Sequence, residues 1–96
     1  MTPVFEWDAA KARANLRKHG VSFDEAASVF EDLLAEIYDD PDHSNGEHRE
    51  IILGHSVLAR LLVVSFTERE PDRVRIISAR RANRQERQRY ETDTKA

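Results

Sequence analysis

Four short apolar segments beyond residue 32 restrict the fold most, because each has the length and composition of a β-strand. They are rich in Val, Ile and Leu, and residues that favour turns separate them. The segments are 34–38, 50–53, 60–67 and 73–78. The connections at Gly54 and at 70–72 are short, which favours antiparallel hairpins. The sequence therefore predicts an antiparallel sheet of three to four strands.

Two helices are predicted ahead of this sheet. Asp8 suits the N-cap of a helix over 9–19, and Gly20 suits a left-handed C-cap at its end. Ser22 and Glu25 form a capping box for a second helix. Apolar residues at helical spacing predict the buried side of that helix, namely Phe23, Ala26, Ala27 and Phe30.

A third helix over 82–90 completes the pattern, and 4–7 has the character of a short strand. The predicted fold class is α+β, a single domain over 1–96 in which helices pack on one side of the sheet and leave its other face open. Strand alternation places Leu62, Val64 and Phe66 on one face of the third strand. The opposite face receives Leu61, Val63, Ser65 and Thr67.

Positive charge is concentrated where the last predicted strand passes into the last helix. Residues 73–90 hold seven arginines and one acid, Glu86, for a net charge of +6, whereas the whole chain has a net charge of −3. Such segregation indicates a surface for a polyanion or an acidic partner.

Composition excludes several other classes of protein. The chain has no cysteine, so disulfides, thiolate zinc sites and a cysteine nucleophile are excluded. The N-terminus lacks the pattern of a signal peptide, and no apolar run has the length of a membrane span. We expect a cytoplasmic protein without a membrane-bound segment.

The order and spacing of many residues resemble those of the BrnT family of toxins from type II toxin-antitoxin systems. In the first half these are 5–8, Lys11, Asn15, 18–21, Phe23, 25–26, 29–30, 43–44, Glu47 and Arg49. In the second half they are Gly54, Ser56, Arg60, 62–64, 67–69, 75–80, Ala82, 86–87 and 90–91. The chain departs from the family pattern at Leu53, where Ile is frequent, and at Arg81, where proline is common.

The resemblance implies a RelE-like microbial ribonuclease architecture and an RNA substrate whose cleavage inhibits translation. It also implies neutralisation by a BrnA-like antitoxin. Toxin and antitoxin would form a 2:2 heterotetramer that contacts operator DNA only through the antitoxin and represses its own operon.

A metal-independent ribonuclease must deprotonate the 2′-hydroxyl, stabilise the phosphorane and protonate the 5′-oxygen. Arg69, Arg75 and Arg80 are the candidates for phosphorane stabilisation, since a guanidinium binds phosphate with two parallel hydrogen bonds. Arg75 and Arg80 have opposite strand parity, so both face one groove only if a bulge or the strand end intervenes. Arg80 is therefore the preferred candidate, with Arg69 expected across the hairpin.

Proton transfer has three candidates. His19 has an unperturbed pKa suited to acid-base chemistry, and Lys18 beside it can bind phosphate, although both also suit a helix C-terminus. Thr67 and Glu68 adjoin Arg69, and Glu68 is a base only if it points into the groove. A surface salt bridge is the alternative.

Further contacts to RNA or to the antitoxin are expected from the last helix. Arg84, Arg87 and Arg89 supply charge, and Tyr90 either stacks on a base or packs in the core, core packing being favoured. In the alternative interpretation, Arg69, Arg75 and Arg80 are not catalytic and pair with acids on a solvated surface. Glu68, Asp72 and Glu86 are examples of such acids.

No cofactor is expected. His43, Glu47, His48 and His55 have irregular spacing, which argues against a metal site. Trp7 is expected in the core. A second function remains open at this stage, a non-catalytic module that binds nucleic acid or a partner and acts as a corepressor.

Overall fold

A computed structural model describes residues 3–40 and 48–94, which form one mixed sheet with helices on both faces. The elements in chain order are β1 (Val4–Glu6), α1 (Ala9–His19), α2 (Phe23–Ser28), a 3-10 turn (Val29–Glu31), β2 (Glu36–Asp39), β3 (Glu50–His55), β4 (Leu61–Arg69), β5 (Arg73–Arg81) and α3 (Arg84–Thr94).

The sheet has five strands in the order β1-β5-β4-β3-β2, and β1 runs parallel to β5 while the other pairs are antiparallel. The prediction of an antiparallel sheet with three to four strands is therefore wrong. The fifth strand is β1, which confirms the short strand predicted at 4–7, but its parallel pairing with Arg73–Arg75, far away in sequence, was not predicted. No local pattern reports such a pairing. The four predicted segments are all strands, with ends shifted by up to three residues.

A β-bulge in the β4–β5 hairpin changes which side chains share a face. Ser65 pairs with Ser78 and Phe66 pairs with Ile76, so Ile77 is an extra residue in β5. Val74, Ile76 and Ala79 consequently all belong to the core beneath α1 and α2. Arg75 and Arg80 therefore lie together on the opposite face, which is the arrangement that strand parity alone forbids.

Each face of the sheet carries its own core. On the first face, α1, α2 and the 3-10 turn cover a cluster that includes Phe23, Val64 and Phe66. Aromatic contacts continue this cluster outward, since Phe30 lies 5.0 Å from Phe66 and 5.1 Å from Phe5 between ring centroids. The predicted alternation of Leu62, Val64 and Phe66 is confirmed, and Trp7 packs against the same core.

The second face is only partly open, contrary to the prediction. Tyr90 of α3 packs with Leu53, Leu61 and Val63 and covers one end of the sheet. The described helices are each too short or too polar to cross a bilayer. The part of the second face that α3 leaves uncovered, beside β5, is available to a ligand.

Capping residues set the helix ends as predicted for α1 and α2. The Asp8 carboxylate accepts from the Lys11 amide at 2.9 Å, Gly20 has a φ of 69°, and Ser22 Oγ accepts from the Glu25 amide at 3.0 Å. Helix α2 is shorter than a full amphipathic helix, and Phe30 lies on the 3-10 turn that follows it.

Helix α3 begins at Arg84, two residues later than predicted. Asn83 and Glu86 form a reciprocal capping box, in which each side chain accepts from the other residue's amide at 2.8 Å. Asn83 lies outside the helix because its side chain is the N-cap. The Asn83–Glu86 pair thus marks the start of α3, where a proline at position 81 would otherwise do so.

Asn15 holds the end of α1 against the edge of β5. Its Nδ2 donates to the carbonyls of Val21 at 2.9 Å and of Ala79 at 2.8 Å, and its Oδ1 accepts from the Ala79 amide at 3.1 Å. The side-chain amide thus replaces a neighbouring strand at Ala79. This contact fixes where the residues after Asn15, Lys18 and His19 among them, meet the sheet.

A buried carboxylate joins α2 to the β3–β4 turn. Glu25 accepts from Arg60 Nε at 2.8 Å and from Ser56 Oγ at 2.7 Å, and a second guanidinium nitrogen of Arg60 also contacts it. Arg60 in turn donates to the Gly20 carbonyl at 3.1 Å. The hydrogen bonds from Arg60 hold the pKa of Glu25 below its usual value, although burial opposes them.

Candidate functional site

A cavity of about 410 Å³ lies on the second face of the sheet, between the end of α1 and strands β3 to β5. Four basic residues line it, Lys18, His19, Arg49 and Arg80, and we name this cavity the basic groove. The remaining lining residues are Asp40, Ile51, Val63, Ser65, Ile77, Ser78 and Ala79. The groove therefore combines an apolar floor with hydroxyl groups and a basic rim.

Three parts of the chain bring the basic residues together. Lys18 and His19 occupy the last turn of α1, which Asn15 ties to Ala79. Arg80 is the next residue of β5. Arg49 precedes β3, and its carbonyl accepts from the Asp40 amide at 3.0 Å, which extends the β2–β3 ladder by one pair.

Glu86 orients the Arg80 side chain through two parallel hydrogen bonds of 2.8 Å each. Each partner stabilises the charged form of the other, so the pKa of Arg80 is raised and the pKa of Glu86 is lowered. The Arg80 side chain is 43% exposed, and a guanidinium has five N–H donors. Donors therefore remain for a ligand, although Glu86 offsets part of the charge.

The other three basic residues of the groove form no ion pair with any described residue. Lys18 is exposed, whereas His19 and Arg49 are partly buried. Asp40, the acidic residue of the lining, lies beside Arg49 at the β2 side. The groove thus combines an imidazole with cations that can bind phosphate.

The remaining predicted catalytic residues do not share this cavity. Arg69 pairs with Arg73 at the far end of the hairpin, while Arg80 pairs with Val63. Six residues of β4 separate these positions, a distance of about 20 Å. The expected pairing of Arg69 with Arg80 across the hairpin is therefore wrong, because position along a strand, not membership of one hairpin, sets proximity.

Glu68 and Thr67 project to opposite faces of β4. Glu68 follows the alternation of Phe66 toward the α1–α2 face and is exposed there, so it does not point into the basic groove. Thr67 is buried on the second face, opposite Arg75. Arg75 donates to Glu6 at 3.1 Å, an ion pair of the kind that the alternative interpretation predicts for Arg75, but with an acid that it did not name.

Helix α3 presents two of its predicted RNA-binding arginines to solvent. Arg84 and Arg87 are exposed, and neither pairs with an acid in the described part of the chain. Arg89 donates to Glu36 at 3.1 Å and lies 4.3 Å from the centre of the Tyr38 ring. Arg89 therefore helps to hold α3 against the sheet.

Tyr90 belongs to the core and not to a stacking surface. It is 6% exposed, and its hydroxyl donates to Asp32 at 2.7 Å. Burial and the Asp32 carboxylate raise the pKa of Tyr90 to about 12. Its ring lies edge-on to His55 at 4.9 Å, so His55 is part of this packing as well.

One group of metal-ligand type exists among the described residues, at the end of the β2–β3 hairpin. Asp39, His48 and Glu50 place one ligand atom each within 4.8 Å of one another. His48 and Asp39 are exposed at 70% and 76% and form their own pair at 3.2 Å, which needs no ion. His43 and Glu47, whose spacing argued against a metal site, lie outside the described residues.

The family described as "Ribonuclease toxin, BrnT, of type II toxin-antitoxin system" matches residues 7–86. The chain belongs to this BrnT family. The matched region contains every basic residue of the groove and ends at Glu86, the partner of Arg80. Membership of a type II toxin-antitoxin family implies an antitoxin partner, and at the level of the family it supports ribonuclease activity.

A solved structure supports the same fold. The ribonuclease toxin BrnT of Brucella abortus matches with a TM-score of 0.66 and 24% identity, over 88% of this chain and 100% of that chain. No curated protein matches this chain. At 24% identity this likeness concerns the fold alone. The fold of this chain is an α+β arrangement of three helices and a mixed sheet of five strands.

Two features of the site escaped sequence reasoning. Arg49 entered the sequence analysis only through the family resemblance, yet it lines the groove, because it lies two residues before Ile51 on the same face and β3 pairs with β4 there. Glu86 was treated as a competing acid, but it both caps α3 and orients Arg80. The Asn83-x-x-Glu86 spacing is a capping box and would have identified the first of these roles.

Proposed function

We propose that this BrnT family member is a metal-independent endoribonuclease and that the basic groove is its active site. One observation supports the proposal above the others: the fold brings His19 together with Lys18, Arg49 and Arg80, although these residues come from three separate parts of the chain. Cleavage of RNA in the cytoplasm would inhibit translation.

The proposed chemistry uses the 2′-hydroxyl of the RNA as the nucleophile. His19 accepts its proton, the 2′-oxygen bonds to phosphorus, and the bond from phosphorus to the 5′-oxygen breaks. Solvent supplies the proton that the 5′-oxygen takes up. Arg80 and Arg49 stabilise the additional negative charge of the phosphorane, and Lys18 holds the same phosphate. None of these steps requires a metal ion.

The orientation of Arg80 gives Glu86 a supporting role. A guanidinium fixed on one side by two hydrogen bonds offers its other donors in a set direction, which reduces the reorganisation needed when the phosphorane forms. Glu86 is therefore a positioning residue and not a general base. Thr67, Arg75, Glu68 and Arg69, which were expected near the scissile phosphate, have no catalytic role in this proposal.

The antitoxin is proposed to be of the BrnA type and to cover the surface that runs from Arg80 along α3. Arg84 and Arg87 favour an acidic or amphipathic segment there, since their charge has no described partner. Two further points remain predictions from the family resemblance. They are a 2:2 complex that contacts operator DNA through the antitoxin, and a RelE-like microbial ribonuclease architecture of the fold.

Incubation of the purified chain with single-stranded RNA in EDTA tests the proposal. We expect cleavage to persist in EDTA, to fall at least about a hundredfold in Arg80→Ala and His19→Gln, and to remain in Arg13→Gln. Arg13 is an exposed residue of α1 outside the groove and serves as the matched charge control. DNA of the same sequence should not be cut, since it lacks the 2′-hydroxyl.

The corepressor alternative predicts a different result. The wild-type chain would then bind RNA in a salt-sensitive manner without cutting it. Activity that EDTA abolishes would instead indicate a metal nuclease, and equal cleavage by wild type and Arg80→Ala would show that the activity does not arise in the groove.

A further inference from the structure

A row of polar residues crosses the second face of the sheet beside the basic groove. Glu6 of β1 pairs with Arg75 of β5, and Arg75 pairs with Thr67 of β4. Glu50 pairs with Phe66, so one more antiparallel step places Arg49 beside Thr67. Thr67 therefore lies between two arginines, and the row shares Arg49 with the groove.

The Thr67 hydroxyl has no partner within the described part of the chain. Thr67 is 4% exposed, and its Oγ1 is buried without a hydrogen bond. A buried hydroxyl without a partner costs free energy, and such groups are rare in folded proteins. Because this oxygen has almost no accessible surface, an external acceptor that removes the cost has to part the side chains that cover Thr67, among them the flanking arginines.

The charges around Thr67 favour an anion. Arg49 forms no ion pair with a described residue, and Arg75 is 35% exposed with one contact of 3.1 Å to Glu6. Glu6 also lies 3.5 Å from Arg73, so its carboxylate is shared between two guanidinium groups. The nearest acid along β4, Glu68, projects to the opposite face.

We propose that Thr67, Arg49 and Arg75 form a second phosphate subsite, which binds a further backbone phosphate of the same RNA strand, not adjacent to the scissile one. The subsite rests on the proposed ribonuclease function. Thr67 is four residues along β4 from Val63, the partner of Arg80, which is about 13 Å. An RNA strand that passes from the groove over this row would contact both positions, and Arg49 would lie between them.

The subsite is tested by the affinity for a single-stranded 2′-O-methyl oligoribonucleotide, which the 2′-hydroxyl mechanism cannot cleave. We expect Thr67→Val to weaken binding about tenfold, the effect of losing one hydrogen bond to a charged acceptor. Thr67→Ser keeps the hydroxyl and should bind like wild type. Arg13→Gln is the control for a distant charge.

Folding is not the obstacle in this experiment. Valine matches threonine in shape and removes a hydroxyl that has no partner, so the melting temperature of Thr67→Val should equal or exceed that of wild type. NMR titration with inorganic phosphate gives a second readout. The amide chemical shifts of residues 67 and 75 should change in wild type and not in Thr67→Val.

The two proposals fail in different ways. Equal oligonucleotide affinity of wild type and Thr67→Val overturns the subsite, even if RNA is cleaved, and so does a wild-type chain that binds no oligonucleotide. Binding that depends on Thr67 without any cleavage supports the subsite and refutes the catalytic proposal. Amide shifts with inorganic phosphate that persist in Thr67→Val also count against the subsite.

Discussion

Replacement of Asn15 by alanine should destabilise the fold strongly, although Asn15 lies on a helix whose surface is mostly exposed. The side chain makes three hydrogen bonds, and all of them go to backbone groups, of Val21 and of Ala79. It is 7% exposed, so water replaces these bonds poorly. At about 1 kcal/mol for each lost hydrogen bond, the free energy of unfolding should fall by about 3 kcal/mol.

Such a loss is a large part of the stability of a small domain, which is typically about 5 to 15 kcal/mol. In urea the unfolding midpoint should fall by roughly 2 M, given an m-value near 1.5 kcal/mol/M. Trp7 is the single tryptophan and lies 5.9 Å from the Phe23 ring, so its fluorescence reports unfolding of this core. Arg13→Ala on the same helix should change the midpoint little.

Asn15→Asp separates hydrogen-bond geometry from lost volume. An oxygen in place of Nδ2 would face the carbonyls of Val21 and Ala79, and burial would add to the repulsion. The folded-state pKa of this aspartate should therefore lie above its unfolded value. Its destabilising effect should be small at low pH and grow as pH rises above about 4, the unfolded pKa. Unfolding free energies within about 0.5 kcal/mol of wild type for both variants at pH 7 would refute this account.

Three further predictions concern other polar contacts. Tyr90→Phe should lower the free energy of unfolding by about 1 kcal/mol, since Asp32 loses a hydrogen-bond donor. Because the folded pKa of Tyr90 is about 12, the stability of wild type should decline as pH rises above 10, and that of the variant should decline less. Parallel pH curves of the two proteins would contradict this. The folded pKa of Glu25 lies below its ordinary value of 4.5, so the stability that its carboxylate contributes is present above pH 4.5 and is lost as pH falls through the folded pKa. The stability of Glu25→Gln, followed by circular dichroism, should therefore fall less steeply with decreasing pH than that of wild type. Asn83→Ala should remove the cap that Glu86 completes and lower the melting temperature by about 5 °C, with no change expected if the cap contributes nothing.

The helices and the strands β2 to β5 were predictable because local chemistry determines them. Asp8, Gly20 and the pair of Ser22 with Glu25 act within one turn of the chain, and their contacts appear as expected. The start of α3 was missed by two residues, although its capping box is equally local. The family, too, was predictable, since order and spacing of residues along the chain carry it.

The site was only partly predictable, because proximity in it depends on register. His19, Lys18 and Arg80 were all candidates, but no local pattern brings α1 against β5; Asn15 does so through a contact 64 residues away in sequence. Arg49 enters the groove through strand pairing.

By itself, the sequence determined the caps, the apolar segments, the charge of the last strand and helix, and the family, because each of these depends on residue type at short spacing. The tertiary structure alone decided that Arg75 and Arg80 share a face and that Arg69 is remote from Arg80. A single extra residue at Ile77 reverses strand parity, and strand register converts separation along the chain into distance. The bulge and the register are properties of two paired strands, so no single segment of the sequence reveals them.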